Sequence, residues 1–173
     1  MAGSLIKISE TTIGANTAVE KIMGIDDTYN VYKFVIAGLK SDTNSQLRPR
    51  FTKASDNSID ESSNYDYALL GRVNVGSYYD VADANNTSLR VGGNAGANAN
   101  TRLNGVFYAF NFSDSSEYSH ITVDTTGTDN SLNAEGYFGA GILTVAAAHN
   151  GIAFRMDSGE LEGGTISLYG LKK

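Results

Sequence analysis

Between Val31 and Leu39 apolar side chains fall on both sides of an alternating segment: Tyr32, Phe34 and Ile36 share one face, and Val31, Lys33, Val35 and Ala37 the other. Side chains alternate across a strand, so this pattern predicts an interior strand that packs on the core on one side and on a further surface on the other. Thr101 to Phe112 reads the same way. Val106, Tyr108, Phe110 and Phe112 fall on one face, with Phe107 and Ala109 opposite, and the segment is expected to lie centrally. Gly151 to Asp157 alternates cleanly, with Ile152, Phe154 and Met156 inward. At the C-terminus, Thr165 to Leu171 places Ile166, Leu168 and Gly170 opposite Ser167, Tyr169 and Leu171, with Gly163 and Gly164 as the turn that leads in. A strand so close to the chain end is expected to complete a sheet and help fix the fold.

The weaker segments fill in the set. Leu5 to Ile13 predicts a first strand and Ser119 to Thr125 a half-buried one. Tyr65 to Val75 reads as a strand bent near Gly71, followed by a short strand or extended turn at Ser77 to Ala82 and a brief extended piece at Ser88 to Val91. Tyr137 to Ala148 is a strand rich in small residues. Leu47 to Lys53 carries Pro49, which places it at a sheet edge or a strand start. Ala18 to Ile25 stays open between a helix, from the spacing of Val19, Ile22 and Met23, and an irregular strand. Ala54 to Asn64 is a polar loop. Gly92 to Asn100, GGNAGANAN, offers almost no side chain to bury. It reads as an exposed loop or as a small-residue surface for a neighbouring subunit. About eight to ten strands and no good helix predict an all-β fold, an antiparallel β-sandwich in preference to a barrel, with residues 1–173 as a single domain.

Composition changes this picture little. Nineteen glycines, ten tyrosines and one proline suit short strands and tight turns, and an apolar fraction of 41% can fill a core. There is no cysteine, which removes disulfides, thiol nucleophiles and thiolate metal sites. The net charge of −6 weakly repels nucleic acid and anionic membranes, so neither is expected as a partner. No segment approaches the ~20 apolar residues of a membrane span, and the opening MAGSLIKISE lacks a leader pattern. The chain is expected to be soluble and unprocessed.

The chemistry-bearing residues form no strong motif. His120 and His149 stand apart, without HExxH or His-x-His spacing, and are expected to be ordinary surface or partly buried histidines. The acidic pairs Asp26 and Asp27, Asp80 and Asp83, Asp124 and Asp129, and Glu160 and Glu162 are explained by turn chemistry, with Glu160 and Glu162 the best candidates for a polysaccharide hydrolase. DTTGTDN departs from the EF-hand loop and leaves only an irregular calcium site open. Gly136, Gly139 and Gly141 form no phosphate-binding fingerprint, and the N-x-[ST] triplets at Asn85, Asn86 and Asn111 read as chance. Tyr65 with Tyr67, and Tyr78 with Tyr79, are candidates for an interface anchor or a glycan platform. No catalytic residue, cofactor or metal ligand is expected.

Three stretches carry a likeness: KISETTIGANTAVEKI with TYNVYKFVIAGL, the central GVFYAFNFSDSSEYSHI, and the closing GIAFRMDSGELEGGTISLYGLK. Together they resemble small β-rich virion proteins and fibre-tip domains of tailed bacteriophages, especially those of aquatic bacteria. In that group an F-x-x-x-S-G turn leads to a G-T-x-x-x-Y-G-x-K finish, matched here by Phe154, Ser158, Gly159, Gly164, Thr165, Tyr169, Gly170 and Lys172. The resemblance implies a jelly-roll-like sandwich without enzymatic activity, displayed on the virion surface after synthesis in the host cytoplasm. It implies a homo-oligomer, often a trimer, packed on other virion structural proteins. Because the likeness begins within the first ten residues, a head decoration or cement protein or a short appendage is favoured over a full tail fibre. Interface candidates are then Tyr32, Phe34, Ile36, Phe107, Ala109 and Tyr169. The competing expectation is a receptor-binding module with an aromatic and carboxylate groove for a surface glycan.

Overall fold

A computed structural model describes residues 4–171. Lys172, counted in the closing motif, lies outside them, as does the start of the opening segment. The described chain is all-β, with thirteen strands and antiparallel pairing throughout. They are β1 (Leu5–Thr12), β2 (Glu20–Met23), β3 (Val31–Ser41), β4 (Ser45–Gln46), β5 (Arg50–Lys53), β6 (Tyr65–Val73) and β7 (Tyr78–Asn86), followed by β8 (Asn94–Ala95), β9 (Leu103–Phe110), β10 (Ser119–Thr128), β11 (Ala134–Leu143), β12 (His149–Phe154) and β13 (Leu161–Leu171). An eight-stranded sheet runs β1-β13-β3-β9-β10-β11-β6-β7, a three-stranded sheet runs β2-β12-β5, and β4 pairs with β8. The count exceeds the expected eight to ten because β4 and β8, of two residues each, are too short to leave a periodic signal, and β2 falls in the segment whose spacing left helix and strand open.

The three-stranded sheet covers one face of the large sheet, an arrangement consistent with a β-sandwich. Phe154 of β12 lies 5.9 Å from Phe34 of β3 and stacks at 6.2 Å on Phe107 of β9. Phe51 of β5 meets Phe112 at 4.5 Å and Tyr65 of β6 at 5.5 Å. Leu69, Ile121, Ile166 and Leu168 complete this interior from the large sheet, and Ile22 and Ile152 from the small one. Burying such a side chain contributes about 1.5–3 kcal/mol, so these rings and branched chains dominate stability.

Several readings are refined. The ambiguous segment Ala18 to Ile25 contains a strand, Glu20–Met23, and no helix. Pro49 stands just before β5, an edge strand, where its missing N–H breaks no ladder. The terminal strand begins at Leu161 and lies between β1 and β3. Gly163 and Gly164 are therefore not a turn; they lie within β13, where the pairing with β3 shifts register. In β9 the larger apolar set faces away from the small sheet. Phe107 and Ala109 are inside, Val106 and Phe110 half-buried, and Tyr108 exposed. Phe112 reaches the core because Asn111 adopts φ 61° and breaks the alternation. Gly92 to Asn100 is not a plain loop: Gly92, Gly93, Ala95 and Gly96 are buried against β10 and β11.

Candidate functional site

The end of the large sheet nearest the β10–β11 turn carries a cavity of about 300 Å³. On β11, Glu135 and Tyr137 are two residues apart and so share the inner face. Val73 of β6 pairs with Glu135, and Gly71 of β6 with Tyr137, which in turn stacks on Tyr79 of β7 at 6.3 Å and 27°. A Cβ on Gly71 would lie 2.2 Å from the Tyr137 ring, so only glycine lets that ring lie flat across β6.

The opposite wall is the segment that looked empty in sequence. Asn94 and Ala95 pair with Gln46 and Ser45, and this short ladder brings Asn44, Gln46 and Asn94 to the rim. Gly93 lies so close to the Glu135 carboxylate that a Cβ there would stand 2.1 Å from Oε1. Arg90 is held by its Nε, which donates to the Gly92 carbonyl at 3.1 Å. The floor ends at a tight turn where the Asp129 carboxylate accepts hydrogen bonds from the N–H groups of Ser131 and Asn133, each at 2.8 Å. Asn130 and Ser131 face the cavity from that turn.

Glu135 is the chemically unusual group. It is 7% exposed, and its Oε1 is buried with no hydrogen-bond partner among the described residues. Burial, reinforced by the Asp129 charge, pushes its carboxyl up to about 7, against the opposing pull of Arg90 and the Asn94 N–H. Near neutral pH this side chain is thus divided between an acid that donates and a carboxylate that accepts.

A second buried cluster lies among β10, β12 and the loop before β6. Ser119 Oγ is 2.8 Å from His149 Nδ1, and His149 Nε2 is 4.0 Å from Asp60 Oδ2. The residue types are those of a nucleophilic triad, but the site is sealed. Ser119 and His149 are completely buried, and the rings of Phe51 and Phe112 pack on the imidazole at 5.5 and 6.0 Å. The neighbouring cavity, about 650 Å³, is bordered by Asp60 and not by Ser119 or His149. Burial pushes the His149 imidazole down, with Asp60 opposing, and favours its neutral form. A nucleophile needs a path to its substrate, and this hydroxyl has none.

The residues singled out in sequence are dispersed. Tyr32, Phe34, Ile36, Phe107 and Ala109 are all buried within this chain, so the second layer they require is the one the chain itself supplies. Tyr32 also donates its hydroxyl to Asp26 Oδ1 at 2.7 Å, and burial with that carboxylate pushes the phenol up to about 12. Tyr169 alone among the six lies on the outer face, paired with Lys7 and Lys33. Tyr65 is a core residue whose hydroxyl accepts the Phe51 N–H at 2.9 Å. Tyr78 and Tyr79 point to opposite faces, Tyr78 stacking under Arg72 at 4.8 Å. His120 is exposed. Glu162 accepts the Asn16 N–H at 3.1 Å, and neither it nor Glu160 borders the Glu135 cavity. Among the described residues no group of three His, Cys, Asp or Glu side chains is placed to hold a metal ion.

In the sequence Glu135 is inconspicuous because it sits at the end of the polar run DTTGTDNSLNAEG. The signal was its two-residue spacing from Tyr137. No protein-family model matches the chain, and no curated protein matches it.

Proposed function

We propose that this protein is a non-enzymatic structural protein of a tailed-bacteriophage virion, a decoration or cement protein or a short surface appendage with a jelly-roll-like sandwich. It assembles through the open face of its large sheet. The virion assignment rests on the sequence resemblance; the mode of packing rests on geometry. The observation that carries it is the relief of that open face. Phe138 and Leu70, cross-strand partners on β11 and β6, are 60% and 45% exposed and form a ridge. On one side Ala68, Ala140, Ile142 and His120 line a trough of about 260 Å³, and on the other Gly136, Arg72 and Tyr78 line one of about 420 Å³.

A ridge flanked by a trough on each side carries both elements that a two-fold contact between copies requires, and it can equally seat a ridge of a neighbouring virion protein. Exposed apolar clusters of this kind mark interaction surfaces. Sedimentation of the wild-type chain and of a Leu70→Asp, Phe138→Asp double variant tests the packing. The wild type is expected to associate and the variant, whose core is untouched, to be monomeric. A wild-type monomer at roughly 100 μM would overturn the packing mode, since that concentration exceeds by ~100-fold a micromolar dissociation constant. A density map of the assembled particle without this chain on shell or tail would overturn the virion assignment.

A further inference from the structure

Beyond assembly, we infer that the Glu135 cavity is a binding site for a neutral pyranose, one or two sugar rings deep, stacked on Tyr79 and hydrogen-bonded to Glu135 and the surrounding amides. This site is on the opposite face of the sheet from the Phe138 ridge and does not depend on the assembly reading.

Four observations converge on that ligand class. First, the walls are made of groups that both donate and accept, the side-chain amides of Gln46, Asn94 and Asn130 above all, which suit hydroxyls better than fixed charges. Second, Tyr79 is 43% exposed although stacked on Tyr137, so one ring is backed and pre-oriented while its phenol edge and outer surface stay open to the C–H face of a sugar. Third, a buried carboxylate oxygen without a partner is costly, and a ligand hydroxyl reaching the carboxyl would relieve it. Fourth, the volume of about 300 Å³ is at the small end of ligand sites.

Charge selects among polar ligands. Asp129, Glu135 and Arg90 all line the cavity; the Arg90 Nε donates to the Gly92 carbonyl and its charge already acts on Glu135. An anionic sugar would meet two carboxyl groups against a single cation within a chain of net charge −6. A cationic ligand would meet that same Arg90. A neutral polyol meets neither penalty.

The test is a nuclear magnetic resonance titration of the isotopically labelled full chain with methyl glycosides of glucose, galactose, mannose and N-acetylglucosamine, and with maltose, cellobiose and lactose. Sugar is added to roughly 50 mM, well above the ~1 mM dissociation constant of a weak single site. At least one sugar is expected to give saturable shifts confined to Gly93, Asn94, Asn130 and Glu135. Tyr79→Phe should keep that affinity and Tyr79→Ala should weaken it about tenfold or more, equivalent to ~1.4 kcal/mol. Both variants change an exposed edge-strand residue, and the same spectra report that the fold is intact. Absence of saturable shifts at these residues with every sugar overturns the site, as does undiminished binding by Tyr79→Ala. Loss of self-association in the Leu70→Asp, Phe138→Asp variant with sugar shifts retained would separate the two surfaces.

Discussion

Glu135 and His149 are both buried ionisable groups held toward their neutral forms by desolvation, yet their surroundings are opposite. His149 is enclosed by two phenylalanine rings, with Ser119 hydrogen-bonded to one ring nitrogen and Asp60 facing the other. Glu135 has an orphaned oxygen, a backbone pressed against it at Gly93, and an open cavity before it. The first arrangement walls the group in: Nε2 is also without a hydrogen-bond partner, 4.0 Å from Asp60, but the aromatic rings leave nothing room to reach it. The second sets its unpaired carboxyl beside an open cavity, where something outside the chain can complete it and offset the cost of leaving it unpaired.

The sharpest way to break the comparison is to remove each group. His149→Ala deletes a fully buried ring from between Phe51 and Phe112 and leaves the Ser119 hydroxyl unpaired. A loss of about 2–4 kcal/mol in unfolding free energy is expected, measured by denaturant titration at pH 8. Glu135→Gln should do the opposite. Its carboxyl goes from 4.5 in the unfolded chain to about 7 in the fold, so the folded state binds the extra proton between those values and stability falls as pH rises through them. Above pH 7 the cost approaches completion, and Gln removes it: the variant is expected to be roughly 3 kcal/mol more stable than wild type at pH 8 and indistinguishable from it at pH 4. Equal stability at both pH values would mean that Glu135 is solvated and the contrast with His149 is false.

The same contrast explains what the sequence could and could not tell. Strands β3, β12 and β13 were legible because Tyr32, Phe34 and Ile36, then Ile152, Phe154 and Met156, then Ile166 and Leu168 alternate with the period of a pleated strand. All eight are buried. The orientation of β9 was not legible, since apolar residues on both of its faces give alternation no sign. Outside the sheet, Gly92 to Asn100 misled for a physical reason. Its missing side chains looked like an absence of packing, whereas Gly93 and Gly96 are small because Glu135 and Asn130 occupy the space a Cβ would need. The candidate site was hidden for the same reason: it is assembled from a rim ladder, a tight turn and two sheet strands, and periodicity reports none of those contacts.

The smallest effect is the pH response of His149, and it can be seen only once Glu135 is silenced. A histidine whose folded pKa lies below its unfolded value of 6.5 is stabilising while neutral; as pH falls below 6.5 the unfolded chain takes up the proton first and stability is lost. In the wild type this loss overlaps the gain from Glu135 protonation between pH 7 and 4.5, and the two slopes have opposite sign. In the Glu135→Gln background the acid-side decline below pH 6.5 should stand alone, and adding His149→Phe, which keeps a ring between Phe51 and Phe112, should flatten it. Asp60 does not blur the reading, because its carboxyl is held below 3.8 and its own contribution fades only at more acid pH. A Glu135→Gln curve that stays flat from pH 7 to 5 would show that the imidazole is reached by solvent, and the sealed cluster would then have to be reconsidered as a second accessible site.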